Sequence, residues 1–292
     1  MRELVLKCER FVAGWQAGRH ILNMAHLRSV NIRKQPSGGF PFNVPAVRTL
    51  PELSFDTPVT FFVGENGSGK STLLGGIAVS AGLPTVGSTE VNDDRTLAAQ
   101  RALGQALKLV WNKRATKGFF LRAEDFFGFT KQLAKMRADM HLRLAEIDEE
   151  YQDRSDYAKG LAKGPMASSL GDMERRYGID LDANSHGQSF LRLFQSRFVG
   201  GGLYLLDEPE APLSPQSQLG LLAMMMDMIA RDGQFIVATH SPILLAFPGA
   251  RIYSFDSVPI REVDYASLDH VTLTREFLND PGRFLRHLMS RE

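Results

Sequence analysis

The stretch Gly64-Glu-Asn-Gly-Ser-Gly-Lys-Ser71 constrains this chain more than any other. It fits G-x-x-x-x-G-K-[ST], preceded by the β-branched and aromatic run Val59-Thr-Phe-Phe-Val63 and followed by the helical text Ser71-Thr-Leu-Leu-Gly-Gly-Ile-Ala-Val79. A strand, a glycine-rich turn and a helix in that order make a phosphate cradle. The glycines let successive backbone N–H groups turn inward, and the helix N-terminus contributes its dipole. Lys70 then brings a point charge to the β/γ end of a nucleotide, and the Ser71 hydroxyl is placed to ligate Mg²⁺.

A strand–loop–helix unit of this kind calls for parallel partner strands, and the second half of the chain supplies two. Leu203-Tyr-Leu-Leu-Asp207 and Gln234-Phe-Ile-Val-Ala-Thr239 are near-continuous apolar runs, as strands buried on both faces should be. Pro215 to Arg231 between them reads as a helix, with Met224-Met-Met-Asp-Met228 as core filler. The first strand ends in two carboxylates: Asp207 to hold the metal or its water, and Glu208 to orient or deprotonate an attacking water. His240 closes the second strand. Carboxyl ends of strands face the ligand crevice in an open α/β sheet, so this histidine should point toward the γ-phosphate.

The rest of the chain is less regular. Leu27-Arg-Ser-Val-Asn-Ile-Arg33 alternates in period two, and after a break at Pro36-Ser-Gly-Gly39 a second strand-like stretch runs to about Leu50, together predicting an antiparallel meander. Lys117 to Arg122 reads as a strand. Phe129, Leu133, Met136, Met140, Leu144, Ile147 and Tyr151 then recur on one face of a long helix, expected to form a helical subdomain packed on the core rather than a pair of long antiparallel arms. Gly160, Gly164, Pro165, Gly171 and Gly178 predict a loop-rich stretch from 160 to 187. Within it Ser185-His-Gly-Gln188 reads either as a capping box or as an anion-binding helix start. The expected organisation is an extension over 1–26, a core segment over 27–122, an insertion over 123–187 and a second core segment over 188–292.

Composition removes several function classes. With 34 basic against 33 acidic residues the net charge is +1, which gives no composition-level case for a nucleic-acid or membrane-surface protein. The basic residues Lys113-Arg-Ala-Thr-Lys117 read as a solvated loop. The one cysteine, Cys8, cannot form an internal disulfide, and a reducing, cytoplasmic setting is expected. No apolar run approaches a membrane span, so no direct membrane insertion is expected.

Taken in order, Lys70, Ser185, Asp207 and His240 follow the succession found in ATP-binding-cassette ATPases. The chain resembles a stand-alone member of the ABC-type ATPase superfamily of P-loop NTPases, nearest to small bacterial ATPases grouped with the OLD, RecF and SMC-type proteins. Gly64 to Thr72 resembles their Walker A motif and Asn184-Ser-His-Gly-Gln188 their signature. Leu-Leu-Asp-Glu-Pro-Glu-Ala-Pro-Leu-Ser-Pro215 resembles Walker B with its D-loop, and Ala-Thr-His-Ser-Pro242 the histidine switch. The resemblance covers about residues 27 to 290. It implies an α/β fold with a mostly parallel sheet flanked by helices, an antiparallel N-terminal β subdomain and a helical insertion. It further implies ATP held by Gly64, Glu65, Asn66, Gly67, Ser68, Gly69, Lys70, Ser71 and Thr72, with Mg²⁺ on Ser71 and Asp207. The catalytic pair would be Glu208 and His240, in a head-to-tail homodimer whose partner contributes Ser185, Gly187 and Gln188. Partners implied by the family are a protein effector or DNA; the alternative is the ATP-binding subunit of a membrane transporter. Two departures stand out: His186 replaces a signature glycine, and Arg122-Ala-Glu124 stands where a glutamine loop is expected, with Glu124 as its substitute. Phe40 or Phe42 is the candidate for stacking on adenine.

Overall fold

Apolar side chains alternate along each central strand, and that alternation builds two cores, one on each face of a sheet. In the strand Val59–Val63 (β3), Val59, Phe61 and Val63 enter one cluster and Phe62 the other. Leu203–Asp207 (β6) sends Tyr204 and Leu206 one way and Leu203 and Leu205 the other, and Gln234–Ala238 (β7) divides Phe235 and Val237 from Ile236 and Ala238. Period-two direction with apolar residues at nearly every position produces this arrangement, and it requires cover on both sides.

The computed structural model describes residues 25–33, 38–86, 98–177 and 186–289. Residues 1–24, including Cys8, and Ser185 lie outside the described residues. The central sheet has the order β5-β6-β7-β3-β8-β9, where β5 is Gly118–Arg122, β8 is Arg251–Ser254 and β9 is Arg261–Glu262. All its pairings are parallel except β8 with β9. The expected α/β fold is therefore the one observed: a mostly parallel sheet flanked by helices. The helix Lys70–Ala81 (α2) covers one face together with Ala98–Ala106 (α3); the other is covered by His186–Arg197 (α6), Pro215–Ile229 (α7) and Pro242–Leu245 (α8). Met225, Met226 and Met228 are buried in that second layer, as filler residues should be.

An antiparallel three-stranded sheet, order β2-β1-β4, packs over the α2 face; β1 is Leu27–Ile32, β2 Leu53–Ser54 and β4 Leu107–Trp111. The fully buried Gln234 side chain ties it to the central sheet, accepting from Leu27 N at 2.8 Å and donating to Leu27 O at 2.9 Å and Phe55 O at 3.2 Å. The meander differs from expectation between β1 and β2. The stretch to Leu50 holds a turn and the short helix Pro45–Arg48 (α1), because Pro45 at its first position fixes φ and lacks an N–H that a strand ladder would need.

The insertion differs more. Ala123–Glu150 (α4) is the expected long helix, yet Asp156–Tyr177 (α5) is also a helix, running through Gly160, Gly164, Pro165 and Gly171 where a loop-rich stretch was expected. The two form an antiparallel hairpin, the arrangement the sequence reading set aside. Arg137 pairs with Glu174 at 3.6 Å, and near the far turn Asp148 pairs with Lys159 at 2.6 Å and with Lys163. Leu133, Leu170 and Met173 make a small core of their own, lined by Phe129, Met140 and Leu144. Leu133, Met140 and Leu144 of the α4 stripe thus meet α5, while Phe129 also packs on the main core; partner packing overrides the poor helix propensity of the glycines.

Candidate nucleotide site

The P-loop joins β3 to α2, and two of its glycines are there for stated reasons. Gly64 has φ +144°, and a Cβ on it would lie 3.0 Å from both Asp256 Oδ1 and Phe255 Cβ. Gly69 has φ +105°, and a Cβ would lie 2.9 Å from Val44 Cγ1. Both need a conformation and a closeness that only glycine provides. The second contact brings the 40–46 turn against the loop. Phe40 in that turn is 64% exposed, whereas Phe42 is half-buried and packs into the α2-side core.

Lys70 opens α2 and is 4% exposed, and its Nζ donates to Gly64 O and, at 2.9 Å, to Glu65 O. Burial pulls its pKa down, while Glu208, Asp207, Asp256 and Glu210 oppose that shift with negative charge. Ser71 Oγ donates to Asp207 Oδ1 at 3.0 Å, so the Walker A hydroxyl and the strand-end carboxylate meet across 136 residues of sequence. Burial pushes the Asp207 carboxyl up to about 7, with the hydrogen bond from Ser71 working against it. Glu208 follows with φ +50°, a left-handed conformation for a non-glycine residue, and its N–H donates to Ala238 O at 2.9 Å. Its Oε1 stands 4.0 Å from His240 Nε2. A left-handed backbone at a non-glycine residue is a recurring feature of functional sites.

The P-loop, the end of β6 and the end of β7 therefore meet, and an open cleft beside them is lined by Glu65, Asn66 and His240. Thr72 lies in the first turn of α2. Hard oxygen donors from Ser71 and Asp207 are what Mg²⁺ takes when phosphate oxygens and water complete its shell, so the donor set fits that ion. Among the described residues there is no separate cluster of three or more His, Cys, Asp and Glu that could hold a metal. Glu124 sits in the first turn of α4, 72% exposed and paired with Arg122 at 2.9 Å. Arg122 itself is paired with Asp207 in the β5–β6 register and forks onto Asp125 at 2.6 and 2.7 Å. Of the signature residues, Gly187 and Gln188 lie in the first turn of α6.

Sequence reading missed two carboxylates. Asp256, two residues past β8, accepts from Glu65 N at 2.7 Å and braces the P-loop. Glu210 accepts from His240 N at 2.7 Å. The first was findable: β8 runs parallel beside β3, so its carboxyl end must emerge next to the loop.

The family described as "AAA domain, putative AbiEii toxin, Type IV TA system" matches residues 81–246, a span that begins in the last turn of α2 and holds Asp207, Glu208 and His240. The energy-coupling factor transporter ATP-binding protein EcfA2 of Streptococcus thermophilus is 25% identical over 72% of this chain and 70% of its own length. The macrolide export ATP-binding/permease protein MacB of Agrobacterium fabrum is 24% identical over 70% of this chain but 30% of its own. Among solved structures, a nucleotide-free ATP-binding cassette from an ABC transporter has 19% identity and a TM-score of 0.43, covering 86% of this chain and 95% of its own. An SMC head domain from Thermotoga maritima has 15% identity and a TM-score of 0.39, covering 82% and 100%.

Proposed function

The chain belongs to this AAA domain family and is an ABC-type ATPase, and from that premise we propose that it is a Mg²⁺-dependent enzyme whose ATP-gated homodimer acts on a protein effector or on DNA. The observation that supports this most is the contact of Ser71 Oγ with Asp207 Oδ1 beside Glu208 and His240: Walker A, Walker B and switch histidine share one site. Backbone N–H groups of residues 64–71 and the α2 dipole hold the phosphates, and Lys70 exchanges its two loop carbonyls for phosphate oxygens. Ser71 and Asp207 would hold Mg²⁺, which would supply charge neutralisation at the phosphates. Glu208 takes the proton of the attacking water, and His240, 4.0 Å from it, stabilises the γ-phosphate. Phe40 stacks on the adenine, and Ser185, Gly187 and Gln188 of the second subunit close the site.

Glu208→Gln keeps the shape of the base and removes its basicity, so phosphate release should fall far more than ATP binding. With Mg-ATP this variant should run as a dimer by size exclusion with light scattering, and adding Ser185→Arg should return it to a monomer that still binds ATP. Dimerisation of the double variant at the level of the single one would sink the signature assignment.

The transporter names among the relatives favour a second reading, in which the same ATPase docks on a separate membrane protein. No helix among the described residues is long and apolar enough to cross a membrane, so such a partner would have to supply the span. Affinity capture of Glu208→Gln with trapped ATP separates the readings: a permease subunit supports the transporter, and DNA or a soluble protein supports the first.

A further inference from the structure

The geometry points to Glu210 as a positioning residue for the histidine switch: its carboxylate fixes the main chain at His240 and thereby the height of the imidazole over the reacting phosphate. This rests on the ATPase reading above, and nothing in the motif assignments gives Glu210 a role.

The need for such a residue follows from the sheet. β7 ends at Ala238, whose carbonyl accepts from Glu208 N, and Thr239 N still finds a partner in Phe62 O at 3.1 Å. At His240 the ladder has run out. Its N–H meets Glu210 Oε1 at 2.7 Å instead, a side chain thirty residues earlier. One position further on, Ser241 Oγ donates to Gln218 Oε1 at 2.6 Å and accepts from Ile243 N and Leu244 N, capping α8. Two successive residues of the switch are thus fastened to one segment, 208–218.

That segment is rigid enough to serve as an anchor. It starts from the left-handed turn at Glu208, continues through Pro209, and winds with Ala211 N on Glu208 O at 3.1 Å and Leu213 N on Glu210 O at 2.8 Å. Gln218 is held in turn by donating to Leu213 O at 3.2 Å. The general base and the switch histidine are therefore referenced to the same turn. Their 4.0 Å separation depends on a carboxylate-to-amide bond rather than on contact between the two side chains. His240 Nε2 is itself buried without a hydrogen-bond partner among the described residues, so the imidazole is held from its backbone end.

A charge-assisted bond of this length is strong, but the role needs only an acceptor oxygen, which separates it from a role for the negative charge near Lys70. Glu210→Gln keeps the oxygen and loses the charge; Glu210→Ala loses both. Two measurements decide: exchange of the His240 backbone amide by NMR, and steady-state ATP turnover. Expected is a His240 amide protected in wild type and in Glu210→Gln but exchanging at least about 10-fold faster in Glu210→Ala. With it, kcat should fall roughly 10- to 100-fold in Glu210→Ala alone, KM for ATP staying within about threefold, as a small misplacement of a reacting group predicts. Unchanged exchange in Glu210→Ala, or a loss of turnover in Glu210→Gln as large as in Glu210→Ala, overturns the proposal. A wild-type protein that does not hydrolyse ATP refutes the ATPase reading instead, while the exchange comparison still decides the tie. If Glu210→Ala does not fold, Glu210→Asp, one methylene short of the bond, takes its place under the same two readouts.

Discussion

Asp207 sits in a position that costs the folded protein stability, and the cost can be measured. Burial raises its carboxyl from 3.8 to about 7, so between those values the folded chain keeps a proton that the unfolded chain has released. Stability is therefore full below the unfolded value and is lost as pH rises toward the folded one. The loss amounts to about 2 kcal/mol at pH 5.5 and about 4 kcal/mol at pH 8, at roughly 1.4 kcal/mol per unit. Asp207→Asn removes the titration while leaving an oxygen for the 3.0 Å bond from Ser71. Whatever that amide adds or removes by its own packing is the same at both pH values and cancels. The stability of the variant relative to wild type should thus improve by about 2 kcal/mol between pH 5.5 and pH 8 without metal or nucleotide, read from urea denaturation at each pH. The same variant should have lost Mg²⁺-dependent turnover. Parallel stability curves for the two proteins across that window would refute a raised Asp207 and with it the account of the metal-side carboxylate.

Two further outcomes are expected. Lys70→Ala should fold and lose roughly 10- to 150-fold in ATP affinity, the worth of one charged hydrogen bond to phosphate; wild-type affinity by calorimetry would exclude the phosphate cradle. At Glu208, with φ +50°, Glu208→Gly should be more stable than Glu208→Ala by about 1 kcal/mol in denaturant melts, because only glycine sits in that conformation without strain, and equal stabilities would mean the turn relaxes.

The parts of this molecule that were readable in sequence are those where one local rule acts alone. The P-loop spacing dictates its own backbone, and the unbroken apolar runs of β6 and β7 can only be strands buried on both sides, so Asp207, Glu208 and His240 had to come out at one edge. Where a local rule met a tertiary one, the tertiary one prevailed. Gly160, Gly164 and Pro165 argue against a helix in isolation, yet α5 forms because Leu170 and Met173 find Leu133, and Lys159 and Lys163 find Asp148. Glu210 escaped for another reason: it acts through a single bond to a backbone N–H thirty residues away, and neither spacing nor periodicity encodes such a bond.

The α4–α5 hairpin also has a mechanical consequence. At 1.5 Å per residue its longer helix reaches about 42 Å, and the joint at its start is short. That joint is the Arg122–Asp125 fork, directly beside the Walker B aspartate in the sheet, with Phe126 set edge-on against Phe190 at 4.6 Å just beyond it. An arm pivoted so close to its fulcrum is geared: a tilt of about 10° there sweeps the far turn through roughly 7 Å, given that length. A rigid tilt at the metal side would therefore be read at Tyr157 and Leu161, exposed near the far turn, as a movement the size of a side chain.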